Sequence, residues 1–206
     1  MVWLGPESRE TGGASVVADG IFVTTPIATP EGWRPAGSLF PGAWVVTFDG
    51  GNQRVTQAQV LPFGDTPPAF WPLRIPAWAL DNREEIILMP EQKILLEADV
   101  AEDLYGDPFA LIPAQTLEGW RGIGRVRPAD GSASVLLGFA APQVVYASRG
   151  VLLSCPADAM TEVDWHQPTY CHYTLAQARH LVACLMAEET GAALREAGQH
   201  LTGFRA

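Results

Sequence analysis

The sequence predicts a mainly β domain with a short helical tail at its C-terminal end. Three observations lead there. From Ala14 to Pro156, short runs rich in Val, Ile, Phe and Trp recur at intervals of about ten residues, separated by Gly, Pro and Asp. Prolines 26, 62, 76, 90, 113 and 142 interrupt these runs. Each must stand at an edge, a bulge or a turn, because proline cannot donate to a ladder, so the strands are expected to be bent. Beyond Pro156 the period changes: Leu175, Ala178, Leu181, Val182, Leu185 and Met186 recur at helical spacing and form one apolar face.

In chain order, residues 1–13 are mixed, end in glycines and read as a leader. Residues 14–156 form the β-domain, with candidate strands VVADGIFVTT, AWVVTF, RVTQAQVLPF, LRIPAWAL, EEIILM, KILLEA, FALIPA, SVLLGF, QVVYA and VLLSC. Asp49-Gly50-Gly51-Asn52 is a hairpin signal, because these residues accept positive φ cheaply. Asp130-Gly131 before SVLLGF is a second. Residues 157–206 hold a loop and then a helical extension. Thr174 to Gln177 reads as a capping box, Gly191 as a helix stop, and Leu194, Ala197 and Leu201 as a second short helix.

Composition narrows the function. The chain has 206 residues, 48% hydrophobic and 17% charged, which excludes a disordered segment. Lys+Arg is 13 against Asp+Glu 23, a formal charge of -10. So acidic a chain, with no basic run, is not expected to bind nucleic acid, since phosphate contacts need clustered cations. Three cysteines, Cys155, Cys171 and Cys184, are no disulfide framework. MVWLGPESRE lacks a basic start and an apolar stretch, and no run of about 18 apolar residues occurs. The expectation is a cytoplasmic chain without a membrane span.

The segment GIFVTTPIATPEGWRPAGSLFPGAWVVTFDGG carries a family likeness. Ile27, Thr29, Pro30, Gly32, Arg34, Pro35, Leu39, Pro41, Gly42, Val45, Thr47, Asp49 and Gly50 fit the opening block of the Hint (hedgehog/intein) domain. IILMPEQKILL, LYGDPFALIPAQTL and VLLGFAAPQVVYASRGVLLSC resemble the later blocks in order and spacing. Over about residues 20 to 190 the chain resembles bacterial Hint-domain proteins outside true inteins. The resemblance implies a twisted, horseshoe-like β-fold, which suits bent, proline-broken strands.

Self-processing Hint domains begin with an acyl shift. A thiol or hydroxyl attacks the preceding carbonyl, assisted by a Ser/Thr-x-x-His block. Carried onto this chain, the nucleophile position falls on Gly20, or on Ile21 with one residue deleted. The Ser/Thr position holds Met89 and the histidine position Gln92. A thioether and a carboxamide cannot shuttle a proton near neutral pH. Where the bacterial group often has Arg-His-Glu, this chain has Ala141, Pro142 and Gln143. The alternative nucleophiles Thr24, Thr25 and Ser15 have no identifiable base.

Other constellations are weaker. His166, His172, His180 and His200 lie near Cys171, Cys184, Asp158 and Asp164, but no Cys-x-x-Cys pair exists and no metal site is expected. Cys171 next to His172 lacks an orienting third group. Glu84-Glu85 and Glu97, Asp99, Glu102 and Asp103 read as solvated charges at strand ends and in a loop. Tryptophans 3, 33, 44, 71, 78, 120 and 165 read chiefly as core. The expectation is a Hint-like domain that has lost autoprocessing and serves as a binding or scaffold module, with a protein partner at the degenerate cleft and no cofactor. Its rival is a self-processing or hydrolytic domain with an atypical Ser/Thr nucleophile.

Overall fold

The structure, a computed structural model, describes residues 10–11, 14–15, 18–157 and 170–202. The strands are β1 (Glu10–Thr11), β2 (Ala14–Ser15), β3 (Ile21–Phe22), β4 (Pro26–Thr29), β5 (Gly32–Pro35), β6 (Trp44–Thr47), β7 (Gly51–Pro62) and β8 (Leu73–Ile75). They continue with β9 (Ile86–Leu88), β10 (Lys93–Glu97), β11 (Phe109–Pro113), β12 (Gly124–Arg125), β13 (Ala133–Phe139), β14 (Gln143–Ala147), β15 (Val151–Cys155) and β16 (Cys171–His172). Two helices, α1 (Asp99–Tyr105) and α2 (Leu175–Thr202), accompany them.

β1 and β2 pair with each other, and the rest form one 14-stranded sheet. Its order is β12-β8-β9-β3-β13-β7-β6-β14-β15-β10-β11-β16, with the β4–β5 hairpin attached to β14. β7 is the pivot. Gly51 to Arg54 pair with β6, whereas Val55 to Pro62 pair with β13, whose register shifts between Gly138 and Phe139. A strand that changes partner midway must bend, and a bulge in β7 at Thr56, between the pairs Gln57–Gly138 and Val55–Phe139, adds to its twist. The sheet therefore curls, and its concave side holds the core around Ile21, Leu73, Ile94, Leu137, Phe139 and Leu153.

The proline expectation holds. Pro26 opens β4, Pro62 closes β7 and Pro113 closes β11, while Pro76, Pro90 and Pro142 lie just outside strands. The first hairpin signal is also correct: Gly51 has φ 63, and Thr47 Oγ1 donates to Gly51 O at 2.9 Å while accepting Gly50 N–H at 3.1 Å. At the helix, Gln177 Oε1 accepts Thr174 N–H at 3.0 Å and Thr174 Oγ1 accepts Gln177 N–H at 3.3 Å, the predicted capping box.

Five expectations need correction. Asp130-Gly131 is a turn, with Gly131 at φ 78, but not a hairpin, because β12 before it pairs with β8. Of VVADGIFVTT, Ile21–Phe22 is the strand in the sheet, and Phe22 O already accepts Thr25 N–H in the turn that follows. Asp99, Glu102 and Asp103 lie on α1 rather than in a loop. Val100 and Ala101 bury its inner side, acidic residues suit its N-terminal turn, and Gly106 at φ 80 closes it. α2 runs through Gly191 without stopping, because an interior glycine costs only about 1 kcal/mol and strong helix formers surround it. Finally, Trp120 is buried, but Trp33, Trp44 and Trp78 are 39%, 46% and 68% exposed. Trp44 keeps its ring at the surface under the Arg54 guanidinium, 4.8 Å from the centroid.

Two turns clasp one another beside the β4–β5 hairpin. Trp78 and Asp81 take φ 70 and 58 in the loop between β8 and β9. Wholly buried Asn82 holds this loop: its Oδ1 accepts Leu80 N–H at 2.9 Å, and its Nδ2 donates to Pro76 O at 2.9 Å and Glu84 O at 2.7 Å. Gly150, in the β14–β15 turn, approaches so closely that a Cβ there would lie 2.2 Å from Asp81 O. Elsewhere α2 docks through Ala178, Leu181 and Val182. Its Glu189 accepts from Trp120 Nε1 at 3.0 Å and Arg121 Nε at 2.8 Å. Desolvation opposes ionisation of Glu189, but those two donors outweigh it and hold the carboxyl below its usual range.

Candidate functional site

Five segments meet where β3 begins. The turn after β9 holds the backbone that precedes β3, with Glu91 N–H donating to Ala18 O at 2.8 Å. Gly20 follows at φ 104, and Ile21 then pairs with Leu88 on one side and Val135 on the other. A Cβ at Gly20 would lie 3.1 Å from Ser134 Oγ and 3.2 Å from both Leu136 Cδ2 and Val135 O. The backbone conformation at Gly20 thus favours glycine, and any side chain there would be crowded. Ile21, the alternative position, is 1% exposed and packs in the core.

Met89 and Gln92, onto which the resemblance carries the assisting roles, are both taken up by packing and backbone bonds. Met89 is wholly buried. Gln92, 2% exposed, donates from Nε2 to Lys93 O at 3.0 Å and to Ser154 O at 2.9 Å, tying its own turn to the end of β15. Both donors of its amide are committed, so this side chain acts as a strut rather than a proton carrier. Ala141 and Pro142 are exposed and Gln143 is half-buried.

The site also contains groups that spacing alone did not single out. Asp19 Oδ1 accepts Gly20 N–H at 2.7 Å, and Ser134 Oγ donates to Asp19 O at 3.3 Å. Desolvation raises the Asp19 carboxyl, with the Gly20 N–H and the Lys93 charge pulling the other way. Cys155, 2% exposed at the end of β15, has its thiol pushed far up by burial and by the charge of Asp19. Asp-Gly was the visible signal for this cluster; its desolvation depends on strands far away in sequence.

Thr24 is exposed, and Thr25 is buried in the turn between β3 and β4, where its carbonyl accepts Ala36 N–H at 2.8 Å. Among the described residues no hydrogen bond joins either hydroxyl to a basic side chain. The backbone of Ser15 lies in β2, and its side chain is outside the described set.

His180 and Cys184 face each other on α2, with Sγ 3.8 Å from Nε2, and Tyr105 OH lies 3.4 Å from His180 Nδ1. Among the described residues no three His, Cys, Asp or Glu gather for a metal. Asp158, Asp164 and His166 lie outside those residues, as do the side chains of Cys171, His172 and His200. The two described thiols should behave differently. Iodoacetamide at pH 8 is expected to label half-buried Cys184 in the native protein and to reach Cys155 only after denaturation, as peptide mass mapping would show.

The family profile of the Hint domain matches residues 22–153. The chain belongs to the Hint domain family. Solved structures similar to this Hint domain include the bacterial intein-like domain from Clostridium thermocellum, with TM-score 0.48 and 13% identity, covering 66% of this chain and 99% of that one. The MchDnaB-1 intein has TM-score 0.40 and 17% identity, over 66% of this chain and 98% of that one. The Msm DnaB1 intein splicing domain bound with zinc has TM-score 0.42 and 16% identity, over the same shares of 66% and 98%. No curated protein matches by sequence. In this Hint domain a curled sheet is accompanied by the C-terminal helix α2. Among the described residues no helix is long and apolar enough to cross a membrane.

Proposed function

We propose that this Hint domain has lost the thiol- or hydroxyl-driven acyl shift and serves in the cytoplasm as a scaffold, its former cleft taking a partner protein. The observation that carries the reading is Gly20: it supplies no nucleophile, and at φ 104, with a Cβ crowded by Ser134 and Val135, any side chain there is strained. Gln92 supports it, since both N–H donors of its amide are spent on backbone carbonyls.

The test is the intact mass of the freshly purified chain behind a removable N-terminal fusion, with and without a thiol at neutral pH. A single full-length mass under both conditions is expected. A fragment released faster by thiol would overturn the loss of the acyl shift. Capture of no partner by the immobilised domain would sink the scaffold reading.

Returning the nucleophile alone should not return the activity. Gly20→Cys is expected to cost about 1–3 kcal/mol, because a side chain is forced into a glycine conformation, and to yield no thiol-released fragment. Chemical denaturation and mass spectrometry check the two halves of that expectation.

A further inference from the structure

We propose that the Asp19–Gly20 peptide bond is a slow self-scission site whose nucleophile is the Asp19 side-chain carboxyl. This goes beyond the scaffold reading, since it needs neither thiol nor hydroxyl.

The carboxyl lies against the bond it would cut. Asp19 Oδ1 is 2.7 Å from the Gly20 nitrogen, so rotation within one residue brings a carboxyl oxygen to the Asp19 carbonyl carbon. The carbonyl to be attacked already accepts a bond from Ser134 Oγ at 3.3 Å, a donor placed where oxyanion charge would develop. Both flanks are held: Ala18 O accepts from Glu91 N–H at 2.8 Å, and Ile21 is paired on both sides. Holding the reacting groups together in this way turns the attack into a well-oriented intramolecular step. Glycine on the leaving side keeps side-chain atoms out of the space beside Ser134 Oγ.

The chemistry balances with one water. The hydroxyl oxygen of the un-ionised carboxyl adds to the Asp19 carbonyl carbon and closes a five-membered ring. Collapse breaks the carbon–nitrogen bond to Gly20, and the carboxyl proton leaves on the new Gly20 amine. The cyclic anhydride left on Asp19 takes up water and opens to two carboxyls. No oxidant, metal or cofactor enters.

Desolvation raises the Asp19 carboxyl, so its un-ionised form persists to higher pH than in an exposed aspartate. Among the described residues, the titratable groups that act on it are the Lys93 ammonium on β10, which opposes the shift, and the Cys155 thiol on β15, which stays neutral. Scission should therefore be faster at pH 5 than at pH 8.

The experiment incubates the full chain without thiol at both pH values and follows intact mass over days. Expected are fragments 1–19 and 20–206, together one water heavier than the chain, appearing faster at pH 5 and at the same rate with thiol. Asp19→Glu, which must close a larger ring, should slow the cut about tenfold or more, and Ser134→Ala should slow it while the Asp19 ring stays available. Thermal melts confirm that both variants are folded. Three results would overturn the proposal: an intact chain throughout, a cut that Asp19→Glu leaves unchanged, or loss of one water without a cut, which would mean that the Gly20 nitrogen had attacked the carboxyl instead. None of the three touches the scaffold reading, which fails only on a thiol-accelerated fragment or on the absence of a partner.

Discussion

Asn82→Ala is expected to lower the unfolding free energy by about 3 kcal/mol, because one wholly buried side chain gives up three hydrogen bonds at once and leaves the buried Leu80 N–H without its acceptor. The variant orphans the buried Leu80 N–H and takes one donor each from the carbonyls of Glu84 and Pro76, the latter keeping Ala79 N–H at 3.2 Å, in a loop where Asn82 itself is wholly buried. It also releases the residues at positive φ, Trp78 and Asp81, whose backbone is held by that side chain and by Trp78 N–H donating to Asn82 O at 2.6 Å. Asn82→Asp should rescue little. It keeps the acceptor for Leu80, but turns oxygens toward two carbonyls that had received donors. Urea unfolding of the three proteins measures the differences, and a loss below about 1 kcal/mol for Asn82→Ala would show that the clasp is not held from this residue.

Gln92→Ala should cost about 3 kcal/mol for a related reason. The amide fills a buried position and bridges Lys93 O to Ser154 O, so its removal orphans two carbonyls and opens a small void between β10 and β15. Gln92→His is the more telling substitution. A neutral imidazole has one N–H, so it can replace only one of the two bonds, and about half of the loss should remain. With Gly20 unchanged it should produce no thiol-releasable fragment. If Gln92→His were as stable as the parent, the strut account of this position would fail.

Much of the architecture was legible in the sequence because it depends on local chemistry. Proline's missing donor placed Pro26, Pro62 and Pro113 at strand ends, and Thr174 with Gln177 announced a helix start. What was not legible depends on contacts that no local pattern encodes. α1 hides in an acidic run because only Val100 and Ala101 are fully buried, with Tyr105 partly so; Gly106, in the left-handed region, was its one local sign. Gly191 reads as a stop until the helix on both sides proves strong enough to carry it. That position 20 carries no side chain could be read directly as a glycine. The crowding around that glycine could not, since Ser134 and Val135 reach it from more than a hundred residues away in sequence. The same holds for Asp19, whose carboxyl is desolvated by segments joined only in the folded chain.

The place of β3 in the sheet governs how this chain must fold. Ile21 lies between Leu88 and Val135, so the first strand of the large sheet finds one partner only after more than sixty further residues and the other only after more than a hundred. Such separations carry a large loop-closure cost before any contact repays it, and they slow folding. During synthesis, Ile21 can meet Leu88 once β9 has emerged, but Ile21 and Phe22 must wait for Val135 and Ser134 until β13 has left the ribosome. Closure of the curled sheet is thus a late event, and the Asp19–Gly20 bond acquires its surroundings only when nearly the whole β-domain has been made.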